Sequence, residues 1–414
     1  MSPRSPPTEY SPLLENGDGA QQPQSYTHRV LNVIKAEGEP SWAHSYRHFI
    51  FGSWFNLFLV FVPLSFISHN LGWDAGLRFL FSFLAIMPLA KLLGDATDQL
   101  SVKLGGTLSG LLNASFGNAV EIIVGIAALL DDQIRIVQTS MLGSILSNLL
   151  LVLGCSFLAG GLKHHEGNFQ VQGAQASASL MTLACITLVI PAAYNSLSTN
   201  GHAVSHCDIP NSMGGCPSSG LLAISRGTAI LLFFVYGAYL LFQLKTHREF
   251  FEDQAEEETA AEMNTFSAGT ALLLVTVITA FCAEYLVASI EETAERYHIP
   301  EAFIGLILLP IVGNAAEHVT SIWMALKNKY ELTIGICVGS SIQIATFVVP
   351  LLVMVGWASG HELTLFFANF ETVILFVSVF LVTILIMDGR SNYMEGLMLI
   401  TLYVVIAIAF WVTE

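Results

Sequence analysis

The sequence predicts an all-α polytopic membrane protein with eleven transmembrane helices: one additional N-terminal helix and two inverted five-helix repeats. Three observations support this fold class. Asp, Glu, Lys and Arg make up only 12% of the 414 residues, about half of the share found in soluble domains. Eleven apolar runs are long enough to cross a bilayer. One segment of the first half recurs in the second half.

A spanning helix needs about 20 mostly apolar residues. The runs of this kind are residues 49–68, 76–97, 106–130, 135–160, 173–194, 221–244, 267–290, 300–326, 331–356, 364–387 and 393–413. They divide the chain into an additional first helix within 48–70, a first repeat over 75–247, an acidic helix or loop over 248–265, and a second repeat over 266–414.

Residues 1–47 have no apolar core after their basic residues and are rich in Pro, Ser, Gln and Asn. We therefore expect a disordered cytosolic tail, not a secretory signal. Within it, Leu13 and Leu14 end the segment EYSPLL, whose acidic-dileucine spacing either binds a sorting adaptor or is a chance match.

The distribution of basic residues predicts the orientation. With eleven spans and a cytosolic N-terminus, eleven Lys and Arg fall on the cytosolic side and only four on the opposite side, while Lys91 lies within a span. Because cytosolic loops carry the excess of basic residues, the C-terminus is expected on the lumenal side. The longest lumenal loop, about 195–220, holds Cys207 and Cys216, which could pair as a disulfide or remain free.

The internal repeat relates FGNAVEIIVGI at Phe116–Ile126 to VGNAAEHVTSI at Val312–Ile322, with an offset of 196 residues. The same offset aligns MLGSILSN at Met141–Asn148 with CVGSSIQI at Cys337–Ile344. Five spans separate the copies, and this odd number turns the second copy upside down in the membrane. Secondary transporters with such inverted repeats bind their cargo near the bilayer midplane.

Each copy of the repeat carries one glutamate inside an apolar span, Glu121 and Glu317. An intramembrane carboxylate is costly and indicates function; the alternative is a protonated glutamate that only joins helices. Carboxamides three residues earlier should lie on the same helix face, and polar side chains follow in the next span. The predicted ligands of the metal site are Glu121, Glu317, Asn118, Asn314, Ser144, Ser340 and Gln343.

These ligands are all oxygen atoms, which Ca²⁺ prefers, whereas zinc and copper prefer Cys and His. Two carboxylates also match the charge of one divalent cation. When the cation leaves, bare carboxylates in low dielectric would take up protons, so the hypothesis is that Glu121 and Glu317 exchange Ca²⁺ for H⁺. His318 beside Glu317 either relays protons or hydrogen-bonds a neighbouring helix.

Further acids lie at span ends and between the repeats. Asp95 and Asp98 end span two, and acids at or near the end of span seven are Glu284, Glu291, Glu292 and Glu295. They form either the mouths of the ion pathway or ordinary solvated helix ends. Between the repeats, an acidic helix either attracts Ca²⁺ or is a solvated linker without an EF-hand pattern. Its candidate Ca²⁺ ligands are Glu249, Glu252, Asp253, Glu256, Glu257, Glu258 and Glu262.

The charge and the motifs exclude several classes of protein. A net charge of −16 excludes a nucleic-acid binder, which needs a basic face. The chain has no HExxH pair and no nucleotide-binding loop, which argues against an enzyme and an ATP-driven pump. Mn²⁺/H⁺ exchange, Na⁺-coupled exchange and a cation channel remain alternatives.

GNAVE at 117–121 and GNAAEHVTS at 313–321, together with GSILSNLLLVLG and GSSIQIA, resemble the calcium/proton exchanger family of the cation/Ca²⁺ exchanger superfamily. The likeness is greatest to the vacuolar exchangers of fungi. It implies an eleven-span antiporter in the vacuolar membrane, surrounded by lipids, with Ca²⁺ and H⁺ as cargo and no cofactor. It also implies that Glu121 and Glu317 are cation ligands, and that residues 249–262 form an acidic helix.

Overall fold

The computed structural model describes residues 40–104, 109, 112–113, 115–199, 219–247, 249–251 and 262–412. These residues form a bundle of helices and one small two-stranded sheet. Leu13, Leu14, Cys207, Cys216 and the acids between 252 and 258 lie outside the described residues, so the predictions made for them stay predictions.

The first half of the described chain is almost entirely helical. A 3₁₀ helix covers Trp54–Val60, and π-helical turns cover Ser147–Val152 and Phe242–Thr246. The remaining elements are α1 (Trp42–Phe51), α2 (Phe61–Asn70), α3 (Ala75–Leu104), α4 (Ala119–Leu130), α5 (Ile134–Leu146), α6 (Leu153–His164), β1 (Glu166–Asn168), α7 (Val171–Thr199) and α8 (Ser219–Leu241).

The second half repeats this pattern. Its π-helical turns cover Ile304–Leu308 and Ile344–Val348. Its other elements are α9 (Thr265–Val287), α10 (Ile290–Tyr297), α11 (Glu301–Phe303), α12 (Leu309–Gly313), α13 (Ala315–Leu326), α14 (Tyr330–Gln343), α15 (Val349–Ser359), α16 (Asn369–Leu385), β2 (Arg390–Asn392) and α17 (Tyr393–Val412).

Helix length supports a polytopic membrane protein but does not fix the number of spans. Within the described residues, seven helices are long and apolar enough to cross a membrane, and counting each of two bent pairs as one span gives nine. The apolar helices α4 and α16 are shorter, with 12 and 17 residues. The predicted number of eleven would require both to be parts of spans, and it stays a prediction.

The N-terminal boundary differs from the prediction, because α1 begins at Trp42 inside the segment expected to be disordered. Ser41 caps this helix by accepting a hydrogen bond from the amide of His44. Trp42 packs on Phe266 of α9, with ring centroids 5.4 Å apart. Composition could not reveal this, since the contacts that stabilise α1 come from a helix more than 200 residues away.

The predicted first span is also not one straight helix. α1 meets the helical segment 54–70 at an angle of 87°. At this bend the Asn56 amide donates to the carbonyls of Phe49 and Ile50, both at 3.0 Å. It thereby satisfies two of the carbonyls that the end of α1 leaves without intrahelical partners.

Contacts between loops divide the bundle into two ends, which we call the Gln99 end and the Asp74 end. At the Gln99 end, the side-chain oxygen of Gln99 accepts from the amides of Glu262 and Met263, at 2.8 and 3.0 Å. Strands β1 and β2 pair antiparallel, and Lys163 donates to the carbonyl of Leu326 at 2.9 Å. These contacts join the loop after predicted span two to the loop after span six, and the loop after span four to those after spans eight and ten. Alternating spans would place all five loops at one end.

The Asp74 end is held by ion pairs between the other loops. Asp74 pairs with Arg296 at 2.5 Å and accepts a hydrogen bond from Tyr297 at 3.0 Å. The hydrogen bond from Tyr297 is the main cause that lowers the pKa of Asp74 below its usual range. Because a carboxylate with a lowered pKa loses its charge only when the pH falls through that lower value, this contact persists in mildly acidic surroundings.

A second contact at this end joins the start of α5 to the start of α16. Both guanidinium nitrogens of Arg135 bind the carboxylate of Glu371, which is 1% exposed. The same carboxylate accepts from the amide of Ala368 at 3.0 Å. This bidentate pair connects residues 236 positions apart and fixes the two repeats to each other.

We expect Arg135→Gln to lower the stability by about 3 kcal/mol, because it leaves the buried carboxylate of Glu371 without its counter-charge. The measurement is thermal denaturation in detergent, followed by size-exclusion chromatography. The double variant R135Q/E371Q should recover most of the loss. The matched control is Arg390→Gln, since its pair with Glu166 is exposed on both sides and should contribute little. Equal destabilisation by R135Q and R390Q would contradict the expectation.

Candidate cation site

The repeated GNA motif interrupts both helices that carry the glutamates. Asn118 has φ −110° and ψ 31°, Asn314 has φ −87° and ψ 15°, and each precedes a new helix, α4 or α13. The segments before and after Asn314 meet at 59°. Glu121 and Glu317 therefore lie in the first turn of a helix, where the partial positive charge of the N-terminus stabilises a carboxylate.

The carboxamides, predicted to lie on the same helix face as the glutamates, stand at the start of each helix. Both asparagines occupy the break before the helix and not a turn within it. The apolar pattern continues through each break, so hydropathy gave no indication of it. A break at membrane depth is tolerated where the freed backbone groups are buried in protein or line a cavity.

The asparagines connect the two repeats through related contacts. The side-chain nitrogen of Asn118 donates to the side-chain oxygen of Gln343 at 2.5 Å, and its side-chain oxygen accepts from the hydroxyl of Ser340 at 3.0 Å. In the other repeat, the Asn314 amide donates to the carbonyl of Ser144 at 3.3 Å. Since Ser144 and Ser340 are equivalent at the offset of 196, each asparagine binds the equivalent serine of the opposite repeat.

The buried oxygen atoms near this network that have no hydrogen-bond partner among the described residues include Oε1 of Glu121, Oε2 of Glu317, Oδ1 of Asn314 and Oδ1 of Asn148. Buried polar atoms are nearly always satisfied, so each such atom needs a reason. An amide oxygen and the oxygens of an ionised carboxylate are acceptors only, which is the property of cation ligands. Among the described residues no group of three or more His, Cys, Asp or Glu could hold a metal ion, so carboxylates alone do not complete a site.

A cavity of about 420 Å³ connects both glutamates to the Gln99 end. Its apolar wall includes the last turns of α3 and residues of α13 and α14. The polar side chains that line it are Ser53, Lys91, Asp95, Thr97, Asp98, Asn113, Asn118, Glu121, Glu317, Thr320, Ser340 and Gln343. The cavity therefore brings five of the seven predicted ligands, all except Ser144 and Asn314, to one space.

On the other side of Glu121, toward the Asp74 end, apolar side chains close the bundle. A second cavity of about 20 Å³ has room for one water molecule. Ser144 lines this small cavity together with Ile86, Leu286, Leu309 and Val312, all of which are buried. Glu121 lines both cavities and therefore lies at the boundary between the open and the closed side.

Gly313 makes room for the Glu121 carboxylate. A Cβ atom at this position would lie 2.9 Å from Oε1 of Glu121, which is shorter than real Cβ contacts allow. The equivalent Gly117 has no such contact with Glu317; its nearest side-chain neighbour is Oε1 of Gln343, at 3.8 Å. The two halves of the site are thus related by the repeat but differ in packing.

His318 lies outside the lining of the cavity. Its Nδ1 contacts the carbonyl of Asn314 at 2.7 Å, while Nε2 is buried without a partner among the described residues. The ring therefore contacts the N-cap residue of its own helix, whereas the hydrogen-bonding alternative expected a contact with a neighbouring helix. A role of His318 in proton relay stays a prediction.

The predicted pathway mouths differ between the repeats. Asp95 and Asp98 line the large cavity. Glu284, Glu292 and Glu295 do not line it, and Glu292 is paired with Arg78 at the Asp74 end. Of the acidic segment, Glu262 pairs with His48, and Phe251 beside Glu249 is buried.

Sequence inspection missed three residues of this region. Asn148, which is fully buried, donates to Ser340 at 3.0 Å, and its place in the repeated segment could have indicated it. Lys91 was noted only as a basic residue within a span, although it lines the cavity and pairs with Asp95. Asn113 lines the cavity and accepts from Ser101 at 2.8 Å.

Comparisons with known proteins identify the family of the chain. The sodium/calcium exchanger protein family matches residues 75–245 and 267–412. The chain belongs to this family. A Schizosaccharomyces pombe relative named vacuolar calcium ion transporter is 45% identical over 406 residues, covering 97% of this chain and 93% of that protein.

Two further relatives of this exchanger-family chain are informative. The Ca²⁺/H⁺ antiporter of Aphanothece halophytica is 39% identical over 368 residues, covering 85% of this chain and 95% of that one. The crystal structure of the selenium-substituted Ca²⁺/H⁺ antiporter protein YfkE has a TM-score of 0.71 at 34% identity, covering 86% and 98%. Polytopic helical architecture and membership of the exchanger family are therefore confirmed.

Proposed function

We propose that the chain exchanges cytosolic Ca²⁺ for lumenal H⁺ across the vacuolar membrane, with Glu121 and Glu317 as the shared binding groups. One observation carries the proposal: two glutamates, each with a buried oxygen atom that has no hydrogen-bond partner among the described residues, lie at the inner end of one cavity. The relatives named as vacuolar calcium transporter and Ca²⁺/H⁺ antiporter support the cargo and the compartment.

Charge balance explains why Ca²⁺ and protons exclude each other. One Ca²⁺ or two protons neutralise the two carboxylates, whereas an empty pair leaves two negative charges that interact across a low-dielectric site. A site that must be neutral before it passes the apolar barrier near Ile86 and Leu286 moves only when loaded. Loading alternately from the two sides gives obligatory exchange by alternating access.

The pH gradient supplies the energy. Each pH unit is worth about 1.36 kcal/mol per proton, so an acidic lumen can drive Ca²⁺ accumulation against its gradient. The cavity opens at the Gln99 end, which the excess of basic residues assigns to the cytosol. The N-terminus would then be cytosolic and the C-terminus lumenal, and this conformation would load Ca²⁺ from the cytosol.

Other activities fit the site less well. Mn²⁺ prefers oxygen ligands similar to those of Ca²⁺, so it is the second candidate cargo. Na⁺-coupled exchange would need further cation ligands beside the two carboxylates. A channel would give uncoupled currents, and the apolar barrier beyond Glu121 does not favour a continuous pore. We propose a transporter without enzymatic activity.

We expect Glu121→Gln and Glu317→Gln each to abolish Ca²⁺ uptake into proteoliposomes driven by an acidic lumen, because the amide neither balances Ca²⁺ nor takes up a proton. The measurement is ⁴⁵Ca²⁺ uptake with and without the pH gradient, with Mn²⁺ and Na⁺ as competitors. The matched control, Glu301→Gln, removes an exposed acid outside the cavity. Normal uptake by either site variant would refute the assignment.

We expect Gly313→Ala to weaken Ca²⁺ transport by displacing the Glu121 carboxylate from the break, with a rise in the KM for Ca²⁺ and an intact fold. The control is Gly339→Ala, because a Cβ atom there meets nothing within 4 Å. Both variants are assayed for initial uptake rate against Ca²⁺ concentration. Identical kinetics in G313A and G339A would show that the contact has no role.

A further inference from the structure

Lys91 is a basic residue on the predicted path of a divalent cation. It lies in α3, in the apolar run 76–97, and its side chain is 28% exposed. Its ammonium group pairs with the carboxylate of Asp95, one turn further along the same helix. Both side chains line the cavity that leads to Glu121 and Glu317. A lysine within a span is costly and marks a functional site by default.

The position of the Lys91–Asp95 pair in the cavity indicates that the pair acts on the transported ion. A structural ion pair would need no contact with the ion pathway, whereas this one faces the same space as both site glutamates. The ammonium neutralises Asp95, which would otherwise attract Ca²⁺ before it reaches the site. Lysine suits this position because it is a compact charge on a flexible chain that can move aside.

The second repeat lacks an equivalent cation. The corresponding helix of the second repeat, α9, has no lysine or arginine between Thr265 and Val287. The charge therefore occurs only at the open side of the site. It follows that the feature is not a structural requirement shared by both repeats.

We propose that Lys91 is a tethered cation, meaning a covalently attached ammonium that occupies Asp95 in place of Ca²⁺. It thereby sets how tightly the cavity holds Ca²⁺ on its way to and from the site. The inference rests on the proposed Ca²⁺ exchange and names a residue that determines affinity. While Lys91 is present, Ca²⁺ is not retained at Asp95. Without Lys91, the carboxylate of Asp95 would become an additional Ca²⁺-binding site.

The test is a double-variant cycle in full-length protein reconstituted into proteoliposomes. Lys91→Met should lower both the KM for Ca²⁺ and the maximal rate, because Ca²⁺ binds more tightly and leaves more slowly. Asp95→Asn should raise the KM, since it leaves an unpaired positive charge in the cavity. Each shift should be about tenfold, as expected for one charge near a divalent ion in a partly hydrated space. The double variant K91M/D95N should return the KM toward that of the wild type.

A matched control separates this local effect from general surface charge. Lys327→Met removes an exposed lysine, which lies over the ring of Trp323, at the same end but outside the cavity, and the KM should not change. An unchanged or higher KM in K91M, or an equal decrease in K327M, overturns the proposal. So does a loss of folded protein in both single variants without any shift in KM, which is the result expected of a structural pair.

A direct binding measurement keeps the inference separate from the proposed exchange. Equilibrium binding of ⁴⁵Ca²⁺ to the detergent-solubilised protein should give affinities in the order K91M, wild type, D95N, from tightest to weakest. If the three proteins show this order of affinity but the wild type shows no pH-driven uptake, the exchange proposal fails and the role of Lys91 stands. If uptake is normal and this order is absent, the role of Lys91 is refuted.

Discussion

The structure depends on one electrostatic constraint: two carboxylates must be kept inside a membrane protein without a permanent counter-ion. Charge in a low-dielectric interior is costly unless it is paired, hydrogen-bonded or neutralised. Glu121 and Glu317 have no resident basic partner among the described ion pairs. They begin helices, they adjoin a polar network, and one side of the site opens to a cavity. Each feature reduces the cost partially, so full neutrality requires a mobile ion.

Glu371 shows how other groups of the protein can stabilise a buried carboxylate permanently. The side chain of Glu371 is 1% exposed, and it has a bidentate arginine and a backbone amide as partners. Arg135 neutralises the charge of Glu371, and the pair joins the two repeats at the Asp74 end. Each site glutamate, by contrast, has a buried oxygen atom without a partner among the described residues. This difference is what the proposed function expects between a group that binds a transient ion and one that stabilises the fold.

Sequence alone predicted the elements that follow from local pattern. The repeat at an offset of 196 identified both glutamates and their inverted relation, because duplication preserves residues and spacing. Hydropathy could not reveal the breaks at Asn118 and Asn314, since the apolar pattern continues across them. It also could not reveal α1 or the Arg135–Glu371 pair, which depend on contacts more than 200 residues apart. The sequence also could not show that Lys91, a basic residue within a predicted span, lines the cavity beside Asp95.

The two repeats differ in structure around the site, and this asymmetry relates the fold to the function. Duplication should produce two equivalent halves, yet the side of the site that faces the Gln99 end is open and polar, and the opposite side is apolar and closed. Gly313 adjoins Glu121 whereas Gly117 does not adjoin Glu317, and α3 carries Lys91 beside the cavity whereas α9 has no lysine or arginine. A symmetric pair of halves would expose the glutamates to both sides or to neither. An exchanger must expose them to one side at a time, and unequal halves around a shared pair of carboxylates allow this.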